Sequence, residues 1–145
     1  LGADLMISLR CTSHASPTAS GVASFHFGNS HGSVSTIGRN LADFIQRELV
    51  ARTGSRDCRV HGRTWDLLRL TRMPTVQVDL GYVTNDHDRT LLATAASRDA
   101  IAEGMLAAVK RLYLLGKNDR PTGTFTFAEL LAHELSIEAG RVSPS

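Results

Sequence analysis

Two short apolar runs in this 145-residue chain each end on a charged side chain. Ala3-Asp4-Leu5-Met6-Ile7-Ser8-Leu9 leads into Arg10, and Pro74-Thr75-Val76-Gln77-Val78 leads into Asp79. The first run suits a buried strand in a largely parallel sheet, whose carboxyl end would open onto a site, and Asp79 is the last carboxylate of the second. Asp79 would supply a carboxylate able to accept a proton, and Arg10 a fixed positive charge. His14 lies four residues beyond Arg10 in a polar loop. His26 and His31 have no metal-ligand spacing. His61 and His87 stand in polar surroundings and His133 on a terminal helix, so these read as loop or surface residues. Thr122, Thr124 and Thr126 form a third group of hydroxyls near the carboxyl end.

The elements that must position these groups follow from periodicity. Ala3 to Leu9 reads as a buried strand and Val22 to Phe27 as a second one, closed by Gly28-Asn29. Ile37, Leu41, Phe44, Ile45 and Leu49 fall on one helical face between Thr36 and Arg52, with Gly54 just past the end. Residues 55–72 show mixed charge and no sustained period, and Pro74 to Leu80 is again a short strand, ending at Gly81. Ser97 is placed to cap a long helix bearing Ile101, Met105, Ala108, Leu112 and Leu115, stopped by Gly116. From Lys117 to Thr124 the chain is polar, with Pro121 and Gly123, and reads as a linker. Thr126 and Glu129 then have capping-box spacing and Phe125 can staple onto Leu130, which starts a short helix with Leu131 and Leu135 on its apolar face.

Strands alternating with helices give an α/β fold, a mostly parallel central sheet flanked by helices, over residues 1–116. A linker and short helix occupy 117–145. With 42 % apolar residues there is enough for one ordinary core. A net charge of +2 without a basic, aromatic-interleaved run leaves no footprint for nucleic acid. No stretch approaches the ~18 apolar residues that a membrane span needs. Cys11 and Cys58 are too few for a disulfide framework and read as free, buried thiols. The chain opens on Leu1 and an apolar run without a leader, as the later part of a longer protein would.

Ser8-Leu9-Arg10-Cys11-Thr12 resembles the strand end of zinc-dependent N-acetylmuramoyl-L-alanine amidases, which reads Ser-Ile-His-Ala-Asn. Met73 to Asn85 resembles that family's second signature, Pro-x-Val-Leu-Val-Glu-Leu-Gly-Phe-x-Ser-Asn. The resemblance spans roughly Leu1 to Leu115 and implies the later part of an amidase type 3 domain, with the first strands, the first ligand His and the ligand Glu lying before Leu1. It also implies a zinc held by His, Glu and His, and a separate Glu acting on the zinc-bound water.

Measured against that pattern, Arg10 stands where the last ligand His belongs and Asp79 where the catalytic Glu belongs. A guanidinium has no lone pair to give a metal and places positive charge at the cation's position. Asp is one methylene shorter than Glu, and misplacement by about an ångström costs on the order of a hundredfold in rate. A degenerate site follows, in which Arg10 and Asp79 form an ion pair across the old pocket and no cofactor is expected. These departures, together with the tail from Gly116 to Thr126, resemble the family's non-hydrolytic actinobacterial members. That likeness implies a cytoplasmic, phosphorylation-dependent regulator of peptidoglycan precursor synthesis, an activator of UDP-N-acetylglucosamine enolpyruvyl transferase. Its partners would be that transferase, a serine/threonine kinase and a forkhead-associated domain protein, with Thr122, Thr124 and Thr126 as candidate phosphorylation sites. The alternatives are a zinc-dependent amidase with a shifted ligand set that recruits His14, and a module that holds muropeptide without cutting it.

Overall fold

The computed structural model describes residues 2–117 and Leu135. Over residues 2–117 the elements follow one another as β1 (Met6–Thr12), β2 (Val22–Phe27), α1 (Thr36–Thr53), β3 (Asp57–Arg63), α2 (Asp66–Arg69), β4 (Thr75–Tyr82), α3 (Asp86–Ala93) and α4 (Ala95–Lys117). Apart from Lys117, which is helical as the last residue of α4, and Leu135, which is helical and exposed, the proposed linker and terminal helix, with Thr122, Thr124 and Thr126, lie outside the described residues.

The sheet order is β1-β4-β2-β3. β1 runs parallel to β4 and β2 parallel to β3, while β2 and β4 are antiparallel. Two of three pairings are thus parallel, as the α/β reading requires. Residues paired across these registers share a face, so Val76 and Val78 of β4 lie on the same side as Ile7 and Leu9 of β1 and as Ser24 and His26 of β2. That side is covered by α1 and α4. Leu41, Ile45 and Leu49 of α1 are fully enclosed between Val22, Val76 and Val78 on the sheet and Ile101, Ala108 and Leu112 on α4. Each such aliphatic side chain contributes about 1.5–3 kcal/mol on burial.

The start and stop of α1 follow from local chemistry. The Ser35 hydroxyl accepts from the Gly38 N–H at 3.1 Å, and Gly54 closes the helix at φ 69°, where its N–H donates to the Val50 carbonyl. Gln46 is the polar exception on the buried face. Its amide nitrogen donates to the Val22 carbonyl and to Asp57 Oδ1, both at 2.7 Å, and its amide oxygen accepts from Ser24 at 3.0 Å. One side chain thereby ties α1 to β2 and to the start of β3.

Several expectations need correction. β1 is not a buried strand from Ala3 to Leu9. It runs from Met6 to Thr12 with β4 as its one neighbour among the described residues, so Leu9 is 51 % exposed and Arg10 and Cys11 face solvent. Cys11 is therefore an exposed thiol, while Cys58 is half-buried; both are free. Residues 55–72 are not featureless, because β3 forms by pairing with β2 across a register shift, and Arg59 at φ 69° breaks its alternation. Ser97 does not cap the long helix, which already begins at Ala95, and Gly116 lies inside it.

Candidate functional site

Arg10 and Asp79 are direct partners in the parallel register of β1 and β4, so their side chains leave the sheet on one face, away from α1 and α4. Arg10 Nε lies 3.5 Å from Asp79 Oδ1, and Gln77, two residues back on the same face, donates to that oxygen at 3.1 Å. The carboxylate is 14 % exposed and the arginine side chain 54 %, so the pair is open on the arginine side. Immediately beyond it the ladder slips: Thr12 pairs with Tyr82, which puts one extra residue on β4.

Loop residues 13–20 and the turn after β4 form the rim. Asp88, in the first turn of α3 and 3 % exposed, accepts from the N–H groups of Gly21 and Tyr82, each at 2.9 Å on Oδ2. Asn85 caps α3 by accepting from the Asp88 N–H at 3.0 Å and donates to the Pro17 carbonyl at 2.9 Å. Gly81 fits closely over Asp88, with an added Cβ falling 3.3 Å from that carboxylate. Asp88 and Gln77 were not singled out in the sequence. The signal for Asp88 was present, since Asn85 followed by Asp86 and Asp88 is an N-cap with acidic first-turn residues.

His14 belongs to the rim. Its N–H donates to Thr84 Oγ1 at 3.1 Å, its ring meets Tyr82 edge-on at 6.4 Å, and its Nδ1 accepts from the Ser16 N–H at 3.0 Å. That last bond engages the Nδ1 lone pair. His26 and His61 are structural, and His133 lies outside the described residues. His26 is buried on β2 with Nδ1 donating to the Phe27 carbonyl at 2.8 Å, and burial lowers its pKa. His61, expected at the surface, stacks on Phe25 at 5.5 Å with Nε2 donating to the Cys58 carbonyl at 2.7 Å. His31 and His87 are exposed.

Among the described residues no three His, Cys, Asp or Glu side chains converge as metal ligands. The donor set at the pair, a guanidinium against one carboxylate, does not fit zinc, which needs neutral imidazole or anionic ligands with an open position. What the arrangement can do is hold an internally neutralised, partly open polar floor at the carboxyl end of β4.

The family model described as N-acetylmuramoyl-L-alanine amidase matches residues 1–111. The chain is 82 % identical over 146 residues to the N-acetylmuramoyl-L-alanine amidase CwlM of Mycobacterium tuberculosis, spanning all of this chain and 36 % of that protein. It is 27 % identical over 103 residues to the N-acetylmuramoyl-L-alanine amidase LytC of Bacillus subtilis, covering 71 % of this chain and 20 % of LytC. It therefore spans about a third or less of these relatives' lengths. Among solved structures, the N-acetylmuramoyl-L-alanine amidase of Clostridium difficile 630 superposes with a TM-score of 0.70 at 22 % identity, over 80 % of this chain and 60 % of that one. The Ami1 amidase of Mycobacterium smegmatis gives 0.62 at 18 %, over 75 % and 53 %. At these identities the superpositions establish the fold, and the family match over residues 1–111 supplies the rest: the chain belongs to the N-acetylmuramoyl-L-alanine amidase family.

Proposed function

We propose that this chain is part of an amidase-family protein that acts in peptidoglycan metabolism without cutting peptidoglycan. In this reading it is a cytoplasmic, phosphorylation-dependent regulator that activates UDP-N-acetylglucosamine enolpyruvyl transferase, with a serine/threonine kinase and a forkhead-associated domain protein as its other partners. The observation that carries the inactive reading is the Arg10–Asp79 pair. A guanidinium at the position of a ligand His repels a metal cation, and it occupies the carboxylate that would otherwise act on water. Phosphate on Thr122, Thr124 or Thr126 would add up to about two negative charges per site, enough to remodel a partner surface.

The second reading, a zinc-dependent amidase, is favoured by the name of the 82 % identical relative. It would require zinc ligands outside the described residues. Both are tested on the full-length protein by zinc content and muropeptide hydrolysis, with Arg10→His alongside. The regulator reading expects no stoichiometric zinc and no cleavage in the unmodified protein. It further expects the phosphorylated protein to raise transferase turnover, and a Thr122→Ala, Thr124→Ala, Thr126→Ala variant to lose that effect. Tight zinc with hydrolysis would establish the amidase instead, and bound muropeptide without zinc or cleavage would mark a holding module.

A further inference from the structure

At the opposite end of β4 from Asp79, about 13 Å away along the strand, the sheet opens into a cleft of about 530 Å³. Phe27, Val34, Leu68, Leu70, Met73 and Pro74 supply its apolar wall. Leu70 is 64 % exposed, a large aliphatic side chain left in water. Arg69 also lines the cleft, and Arg72, exposed, stands between two of its lining residues.

The geometry points to the chain's own segment Phe125–Leu131 as the occupant of this cleft, seated by its phenylalanines and leucines. Three observations carry this. First, α4 delivers the chain there. Glu103 pairs with Arg52, whereas Arg111, two turns later, pairs with Glu48, one turn earlier on α1, so the two helices run in opposite directions. Gly104 packs on Leu49; from that level both Lys117 and Thr36 lie thirteen residues away, about 20 Å along the respective helices. The end of α4 therefore lies beside the first turn of α1, whose cap Ser35 lines the cleft. Residues 118–124 reach up to ~24 Å if extended, enough to bring Phe125 in.

Second, the segment has the matching face. Phe127, Leu130 and Leu131 fall at helical spacings of three and four, with Phe125 just before the start. Third, the charges complement each other: residues 125–138 carry Glu129, Glu134 and Glu138 and no Lys or Arg, opposite exposed Arg72 and Arg69, the latter also bonded to Asp66 at 2.8 Å. This docking stands independently of the regulatory reading above and of any phosphorylation.

Hydrogen exchange on the whole protein tests it, comparing the unmodified protein with a Phe127→Ala, Leu131→Ala variant. Docking expects amides of residues 68–73 to exchange at least about tenfold faster in the variant, with α1 amides unchanged. A Leu70→Asp change, made at an exposed position outside the core, expects the reciprocal result, faster exchange in residues 125–135. Equal exchange of residues 68–73 in both proteins overturns the proposal. So does protection of the cleft that rises with protein concentration, which would make a second copy the occupant.

Discussion

Arg10 and Asp79 face each other in register across β1 and β4, with Nε and Oδ1 3.5 Å apart and Gln77 bonded to the same carboxylate oxygen. Because the arginine is more than half exposed, the pair adds little to stability; solvent-screened pairs of this kind are worth about 0.2–1 kcal/mol. Arg10→Ala is therefore expected to lower unfolding free energy by less than about 1 kcal/mol in urea titration. A loss several times larger would show that the pair holds β1 against β4.

The rim around Asp88 is expected to be far more sensitive. Asp88→Ala strands the N–H groups of Gly21 and Tyr82 and should cost about 2–4 kcal/mol. Gly21→Ala forces a Cβ to within 2.5 Å of the Arg56 carbonyl at φ +116°. Gly81→Ala meets only the edge of Asp88, at 3.3 Å. Thermal melts should rank Gly21→Ala as clearly worse than Gly81→Ala; the reverse order would mean that the loop before β2 yields freely.

Gln46 offers a test in which stability and pH are linked. Its hydrogen bond is the main reason the Asp57 carboxyl sits below the usual carboxylate value of 3.8; burial opposes this, and the Arg59 N–H and charge assist it. A depressed folded value means that Asp57 adds stability above its unfolded pKa and loses it as pH falls through the folded one. Gln46→Leu should cost about 2–3 kcal/mol near neutrality, since it strands Ser24 and the Val22 carbonyl. It should also flatten the loss of stability between about pH 5 and pH 3. An acid limb as steep as in the unmodified protein would place the stabilisation of Asp57 elsewhere.

Buried His26 works in a higher window. Burial lowers its pKa below 6.5; the Phe27 hydrogen bond raises it, Arg39 lowers it, Asp43 raises it and His61 lowers it. The unfolded chain therefore takes up this proton first, and stability present above pH 6.5 declines as pH falls towards the folded value. NMR titration of the His26 ring should show a midpoint below 6.5, and His26→Gln should make stability flatter from about pH 6.5 to about pH 5. A midpoint at or above 6.5 would contradict this assignment.

Much of this protein was written in the chain. The α1 stripe and its Gly54 stop, and strands at Val22–Phe27 and Pro74–Leu80, rest on local periodicity and turn chemistry, which need no distant partner, and the observed β2 and β4 match them closely. The Arg10–Asp79 pair was expected from the family resemblance, which sets both side chains at one pocket; that β1 and β4 are adjacent and in register came from the structure. Tertiary structure alone decided the rest. β3 exists because β2 offers it a ladder, although Arg59 breaks its own pattern. β1 is exposed because it has a single neighbour among the described residues. Asp88 and Gln46 became central because burial leaves backbone N–H and C=O groups that only those side chains reach. Sequence spacing reports which face a residue takes; which groups end up buried together is set by packing between elements far apart in the chain.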